Sequence, residues 1–225
     1  MHDGYFSGCF ALSKRFSPRP FIFWAFRENY DTFTELVNEM WEWENGRSLN
    51  LYSLACDENL GFGVFFVENF GTGQSIVTNL LDISKKREEG FKITACAARD
   101  SKFYIVMTKV TDEYKGKQTW FTCNSRVEAN NEIQKNYGEG RAVTGICYST
   151  GVGQYCVVMT ETPQDQTYKW FDDATARANW VDVQFNEGFY PTIIFKDLTD
   201  IKFLVVMTTD SNRSGYYYRI NYKLA

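Results

Sequence analysis

Apolar runs and polar, glycine-marked breaks alternate along this chain, and the alternation is periodic. A phrase opening on glycine returns at Gly4, Gly46, Gly90, Gly140 and Gly188, at spacings of 42, 44, 50 and 48 residues. Each glycine is followed by a strand-like run and then by a second, very apolar run. The clearest first runs are Gly90-Phe91-Lys92-Ile93-Thr94, Gly140-Arg141-Ala142-Val143-Thr144 and Gly188-Phe189-Tyr190-Pro191-Thr192. Their second runs end in Val106-Met107-Thr108, Val158-Met159-Thr160 and Val206-Met207-Thr208. A period of this length marks an array of supersecondary units.

The fourth unit shows the content of one repeat. Gly140–Tyr148 and Gln154–Thr160 read as strands, Thr162-Pro163-Gln164-Asp165 as a turn and Gln166–Phe171 as a third strand. Asp172 or Asp173 then caps a helix to about Phe185, with Ala176, Trp180 and Val183 on one face, and Gly188 ends it. The third unit repeats this with Phe91–Ala98, Phe103–Val110, Gln118–Cys123 and a helix opened by the capping box Ser125-x-x-Glu128, with Ala129, Ile133 and Tyr137 on its stripe. The second unit offers Leu49–Cys56, Phe62–Glu68, Gln74–Thr78 and a weaker helix near Leu80–Glu88; the fifth offers Tyr190–Lys196, Lys202–Thr209 and Gly215–Tyr222. The first unit diverges most, with Tyr5–Leu12 and Phe21–Arg27 as its first and second strands. Its helix is opened by Thr32-x-x-Glu35 and striped by Phe33, Leu36, Val37, Met40 and Trp41.

The second strand of every unit is continuously apolar, where a strand with one wet face would alternate. Burial on both faces is therefore expected, as in three-stranded sheets stacked face to face. The expected fold is mainly β with short helices: one domain forming a five-repeat β-propeller-like ring, about three strands plus a helix per repeat. The units run approximately 3–45, 46–89, 90–139, 140–187 and 188–225. An open βββα solenoid and an αβ-propeller are the alternatives.

Charge and composition narrow the function. A net charge of −4 and a pI near 5.2 argue against nucleic acid as the main partner. The absence of an 18-residue apolar stretch argues against a transmembrane helix. With no signal-peptide pattern at the N-terminus, an intracellular protein, cytoplasmic or nuclear, is expected. Cys9, Cys56, Cys96, Cys147 and Cys156 lie in apolar runs and read as small core residues, and Cys123 stands alone in Thr122-Cys123-Asn124.

Two phrases carry a resemblance. One is Gly-aromatic-x-x-Thr followed by Val-Val-Met-Thr. The other is Thr162–Trp170 running into a helix that carries Trp180 and ends in Asn186-Glu187-Gly188-Phe189. Together they resemble the repeat region C-terminal to the kinase in plant-type casein-kinase-like histone kinases, across units three to five and by pattern in units one and two. The kinase part is absent: there is no Gly-rich phosphate loop, His-Arg-Asp or Asp-Phe-Gly. The resemblance implies an accessory or scaffold domain.

The only histidine is His2, so Ser-His-Asp and Cys-His arrangements have little to rest on, and no catalytic residue is assigned. Cysteine spacing fits neither a metal site nor a cofactor, and none is expected. Asp3, Glu89, Glu139 and Glu187 precede equivalent glycines, with Glu44-Asn45 in the second unit. In a ring they would form a circle of carboxylates able to receive a basic partner. Trp120 and Trp170 occupy matching third strands, and with Tyr216-Tyr217-Tyr218 they could form a stacking surface. The expected function is a non-catalytic protein-interaction or structural scaffold serving a protein partner or multiprotein assembly. The alternative is a lectin-like or small-ligand-binding module. The divergent segment Ser13–Pro20 is where a non-repeated function would be sought.

Overall fold

The computed structural model describes residues 22–27, 29–41, 49–57, 61–68, 71–110, 116–162, 164–197 and 202–209. Tyr5–Leu12, Ser13–Pro20, Gly215–Tyr222, His2, Asp3 and Glu44 lie outside the described residues. Within them the chain runs β1 (Ile22–Arg27), α1 (Tyr30–Trp41), β2 (Leu49–Asp57), β3 (Gly61–Glu68), β4 (Gly71–Val77), α2 (Asp82–Glu88), β5 (Lys92–Arg99), β6 (Lys102–Val110), β7 (Gln118–Cys123), α3 (Arg126–Tyr137), β8 (Arg141–Ser149), β9 (Gln154–Glu161), β10 (Gln166–Phe171), α4 (Ala174–Asn186), β11 (Phe189–Asp197) and β12 (Lys202–Thr209).

The strands form four antiparallel three-stranded sheets, ordered β1-β3-β2, β4-β6-β5, β7-β9-β8 and β10-β12-β11. Three strands and a helix per unit is therefore correct, but the frame is displaced by one strand. The strand before each helix pairs with the apolar strand after it, so a sheet reads strand, helix, strand, strand. Gln74–Thr78 belongs with Phe103–Val110, not with the strands that precede it. The segment expected as the first unit's second strand is β1, the edge strand that leads into α1. The glycines mark helix ends rather than unit boundaries: Gly90, Gly140 and Gly188 take φ of 89°, 77° and 94°, the left-handed conformation that stops a helix at least cost in glycine. The described sheets number four, and a fifth is not among the described residues.

The apolar strands β3, β6, β9 and β12 are central, as their composition demands. On β6, Tyr104 and Val106 face the first sheet, while Phe103, Ile105 and Met107 face the third. On β9, Cys156 and Val158 face the second sheet, and Tyr155, Val157 and Met159 face the fourth. Each helix covers one face of its sheet through a few anchors: Phe33 and Leu36 on α1, Ile83 on α2, Ala129 and Ile133 on α3. Ser125 caps α3, and Glu128 reaches back to the backbone N–H of Asn124 at 2.8 Å. Asp173 caps α4 by accepting from the N–H of Ala176 at 2.7 Å. Two details differ from expectation. α1 is capped by Asn29, whose Oδ1 accepts from the N–H of Thr32 at 3.0 Å, one turn before the expected box. α4 turns Arg177, Trp180 and Val181 inward instead of Ala176 and Val183: Arg177 is buried with its guanidinium 4.1 Å from the centre of the Phe203 ring, and Val183 is exposed.

Successive sheets are joined by the same polar clasp three times. Strands β2, β5 and β8 are edge strands, each with a bulge after Leu51, Ile93 or Val143. A glutamine from the next sheet takes both free backbone groups of that residue. Gln118 Oε1 accepts from the N–H of Ile93 at 2.8 Å, and Gln118 Nε2 donates to the Ile93 carbonyl at 2.9 Å and to Thr160 Oγ1 at 3.0 Å. Gln74 does the same to Leu51 and Thr108, and Gln166 to Val143 and Thr208. The two threonines of the repeated phrase complete each clasp, with Thr94, Thr144 and Thr192 within 2.8–2.9 Å of Thr108, Thr160 and Thr208. A side-chain amide here stands in for the peptide of a further strand and closes an exposed sheet edge.

Replacing the amide leaves a backbone donor and a carbonyl unsatisfied in a half-buried site, while Thr160 keeps its bond to Thr144. Gln118→Ala should cost roughly 2–3 kcal/mol in denaturant unfolding, whereas Gln154→Ala, which loses one exposed hydrogen bond to Asn124, should cost less than about 0.5 kcal/mol. Equal effects of the two would show that the clasp adds nothing.

Candidate functional site

The three glutamates sit where the sequence places them, at the ends of α2, α3 and α4, and all are exposed. Each has a local partner. Lys86 Nζ donates to Glu89 Oε2 at 2.8 Å. This hydrogen bond, reinforced by the charges of Lys86, Lys85 and Lys109, holds the Glu89 carboxyl below the usual glutamate range. Glu139 pairs with Arg141, whose Nη1 also donates to Asn136 Oδ1 at 3.0 Å. Glu187 accepts from Gln184 Nε2 at 3.1 Å. The helix ends thus offer paired carboxylates, each set by its own neighbours.

The two tryptophans stand on the matching strands β7 and β10, half-buried, but not at equivalent positions: counted from Gln118 and Gln166, Trp120 corresponds to Tyr168, and Trp170 to Thr122. Trp120 packs against the core shared by the second and third sheets. Trp170 meets Phe195 edge-on at 6.2 Å, and Arg126 lies over its ring at 5.7 Å. Beside Trp170, α3 and β10 enclose an open groove of about 430 Å³ lined by Asn130, Gln134, Tyr137, Tyr168, Lys169 and Trp170. The groove is already knitted to itself. Tyr168 Oη donates to Asn130 Oδ1 at 3.2 Å, Tyr137 Oη donates to Gln166 Oε1 at 2.6 Å, and the two phenol rings lie 5.4 Å apart. Burial pushes both phenols up, so they act as neutral donors at physiological pH. The indole N–H of Trp170 is buried without a hydrogen-bond acceptor. The ring that would stack on a sugar is committed to Arg126 and Phe195.

Three of the described cysteines, Cys96, Cys147 and Cys156, gather in one core cluster. Cys96 and Cys147 lie on opposite faces of successive sheets and so meet across the junction, with Cys156 directly opposite Cys147 on β9. Burial, followed by hydrogen bonding with Cys156 and Cys96, pushes the Cys147 thiol well above its ordinary value. Burial likewise pushes Cys123 up to about 11. Protonated, enclosed thiols behave as small hydrophobes rather than nucleophiles or ligands. Among the described residues no group of His, Cys, Asp and Glu is arranged to hold a metal ion, and no helix is long and apolar enough to cross a membrane.

Sequence reading missed Gln74, Gln118 and Gln166. Their signal was present as a glutamine at a matching place in β4, β7 and β10, opposite the threonine of Val-Met-Thr. It also missed that Lys92 and Lys109 lie beside α2.

The Glu89 pair sets a titration. A depressed carboxyl contributes to stability above the ordinary glutamate value of 4.5, and that contribution is lost as pH falls through the lower folded value. Carboxyl NMR should find Glu89 titrating below 4.5, and Lys86→Ala should raise it; no change on substitution would exclude the pair as the cause. No protein-family model matches this chain, and no curated protein matches it.

Proposed function

We propose that this chain is a non-catalytic interaction scaffold, an array of clasped sheets that presents its helices to a protein partner. The observation that carries this reading is the contrast between the junctions and the helices. The three junctions are chemically the same. The helices held by them have different outer surfaces: Lys85, Lys86 and Arg87 on α2, Val127 and Lys135 on α3, Val183 on α4. Leu81, just before α2, and Val127 and Val183 are large apolar side chains that stay exposed, so each of these helices carries one. A rigid repeat with a variable face is a general solution to partner recognition. The accessory role implied by the resemblance to kinase-associated repeats agrees with it.

For the array itself, the clasp favours the open form over a closed five-repeat ring. The position of Gln74, Gln118 and Gln166 is occupied in β1 by Ile22, opposite Val67 instead of threonine. At the other end the position of Leu51, Ile93 and Val143 is Pro191, which has no N–H to donate. The series of clasps therefore stops at both ends of the described array.

The test is cross-linked affinity purification of the full chain from its native extract, read by mass spectrometry. A stoichiometric protein partner is expected, and Val127→Asp with Val183→Asp should reduce its recovery by at least about fivefold. A clean monomer with no protein partner overturns the scaffold reading.

A further inference from the structure

The exposed edge around α2 gathers five cations, and the fold does not require most of them. α2 ends in Lys85, Lys86 and Arg87. Lys92 opens β5, and Lys109 stands near the end of β6. Phe91 lies half-buried between two of these cations, with Lys86 Nζ 5.1 Å and Lys109 Nζ 5.0 Å from its ring centre. The repeat supplies an internal control. Aligned on Gly90, Gly140 and Gly188, the positions of Lys86, Arg87 and Lys92 hold Asn136, Tyr137 and Ala142 in the next unit, and Gln184, Phe185 and Tyr190 in the one after. The position of Lys109, aligned on the Val-Met-Thr phrase, holds Glu161 and Thr209. The other units build the same strands and helix without Lys86, Arg87, Lys92 and Lys109, so folding does not demand these four; the position of Lys85 holds Lys135 and Val183.

The cations are gathered at a cost. Lys92 is held below the usual lysine value, first by burial and then by the charge of Arg87. Lys92 Nζ donates to the Gly116 carbonyl at 2.6 Å, and Arg87 Nη2 donates to the Gln118 carbonyl at 2.8 Å, which fixes both at the junction with the third sheet. Among the described residues, the carboxylates nearby are Glu88, Glu89 and Glu161, fewer than the five cations, and Glu89 is engaged by Lys86. Lys85 and Lys109 are exposed. This concentration of positive charge stands in a chain whose net charge is −4.

We propose that this edge, formed by Lys85, Lys86, Arg87, Lys92 and Lys109 around Phe91, is a docking surface for an acidic polypeptide segment with an apolar residue at its centre. The proposal rests on the scaffold reading and names the chemistry of its partner. Carboxylates of the segment would pair with the outer cations. Its apolar residue would cover the Phe91 ring and the lysine stems beside it, which a lysine side chain permits because its stem is apolar. Glu88, Glu89 and Glu161 at the margin repel a second acidic chain placed out of register. They also lower the affinity for a uniform polyanion, because like-charge contacts cost binding.

The experiment uses the full chain and a short fluorescein-labelled peptide of glutamates flanking one leucine, read by fluorescence anisotropy. Binding is expected, and it should weaken about tenfold or more between roughly 50 mM and 500 mM salt. Lys85→Gln with Lys109→Gln changes exposed side chains only and should weaken it by about tenfold, while Lys135→Gln with Lys169→Gln, on α3 and β10, should leave it unchanged. Absence of binding overturns the proposal, as does an equal loss in the control variant. Tighter binding of a single-stranded oligonucleotide or of phosphatidylserine vesicles than of the peptide overturns it in favour of those polyanions. The two readings separate cleanly. A cross-linked partner retained by K85Q/K109Q removes this surface and leaves the scaffold. Peptide binding without any captured partner removes the scaffold and leaves the surface.

Discussion

A glutamine amide holding the open edge of a neighbouring sheet is the interaction on which the rest of this structure depends. Face-to-face packing of apolar strands is adhesive but not specific, because one Val or Ile surface slides readily over another. The amide removes that freedom. It accepts from one backbone N–H and donates to the carbonyl of the same residue, so it recognises a single position along the edge strand. The bulge creates that position by breaking the regular ladder at Leu51, Ile93 and Val143. Thr108, Thr160 and Thr208 then orient the amide from within its own sheet. Every helix is carried on a strand fixed in this way, so the spacing of the outer surface follows from the clasp.

Crowding at the inner strands is the second constraint, and it explains the cysteines. β5 lies against β2 on one side and β8 on the other. A Cβ at Gly145 would come within 2.9 Å of Cys96 Sγ. Residues here must be small and apolar, and Ala95, Cys96, Ala97, Gly145 and Cys147 all satisfy that. Recurrent cysteine in this chain answers a volume requirement. The raised thiol of Cys147 is a result of the same enclosure.

Strand positions were legible in the sequence because the signal for them is local. Lys202–Thr209 and Gln166–Phe171 run as their apolar pattern indicates, and Ser125 and Asp173 cap the helices they precede. The pairing was not legible. β4 skips β5 to reach β6, and nothing in either strand records the partner. Glycine misled the choice of frame, because a left-handed residue is needed where a helix stops and not where a sheet ends. The inner face of α4 differs from the apolar stripe of Ala176, Trp180 and Val183 because the buried guanidinium of Arg177 lies over the Phe203 ring. For the site, Glu89, Glu139 and Glu187 each stand one residue before a helix-ending glycine, whereas Trp120 and Trp170 share matching strands but are offset by two residues. Their partners lie in distant segments or one helical turn back, and these decide what each side chain can offer.

Pro191 gives the series of clasps a direction and, among the described residues, its last position. Each clasp runs from a later sheet to an earlier one, so every internal sheet both offers a glutamine and receives one. An additional unit copied from residues 118–161 and inserted ahead of Gln166 would find both of its junctions satisfied. Added after Thr209, the same unit would bring its glutamine to a residue with no proton to give. Gene duplication could therefore lengthen this series of sheets from within far more readily than beyond Thr209, because the tertiary amide nitrogen of a proline carries no proton.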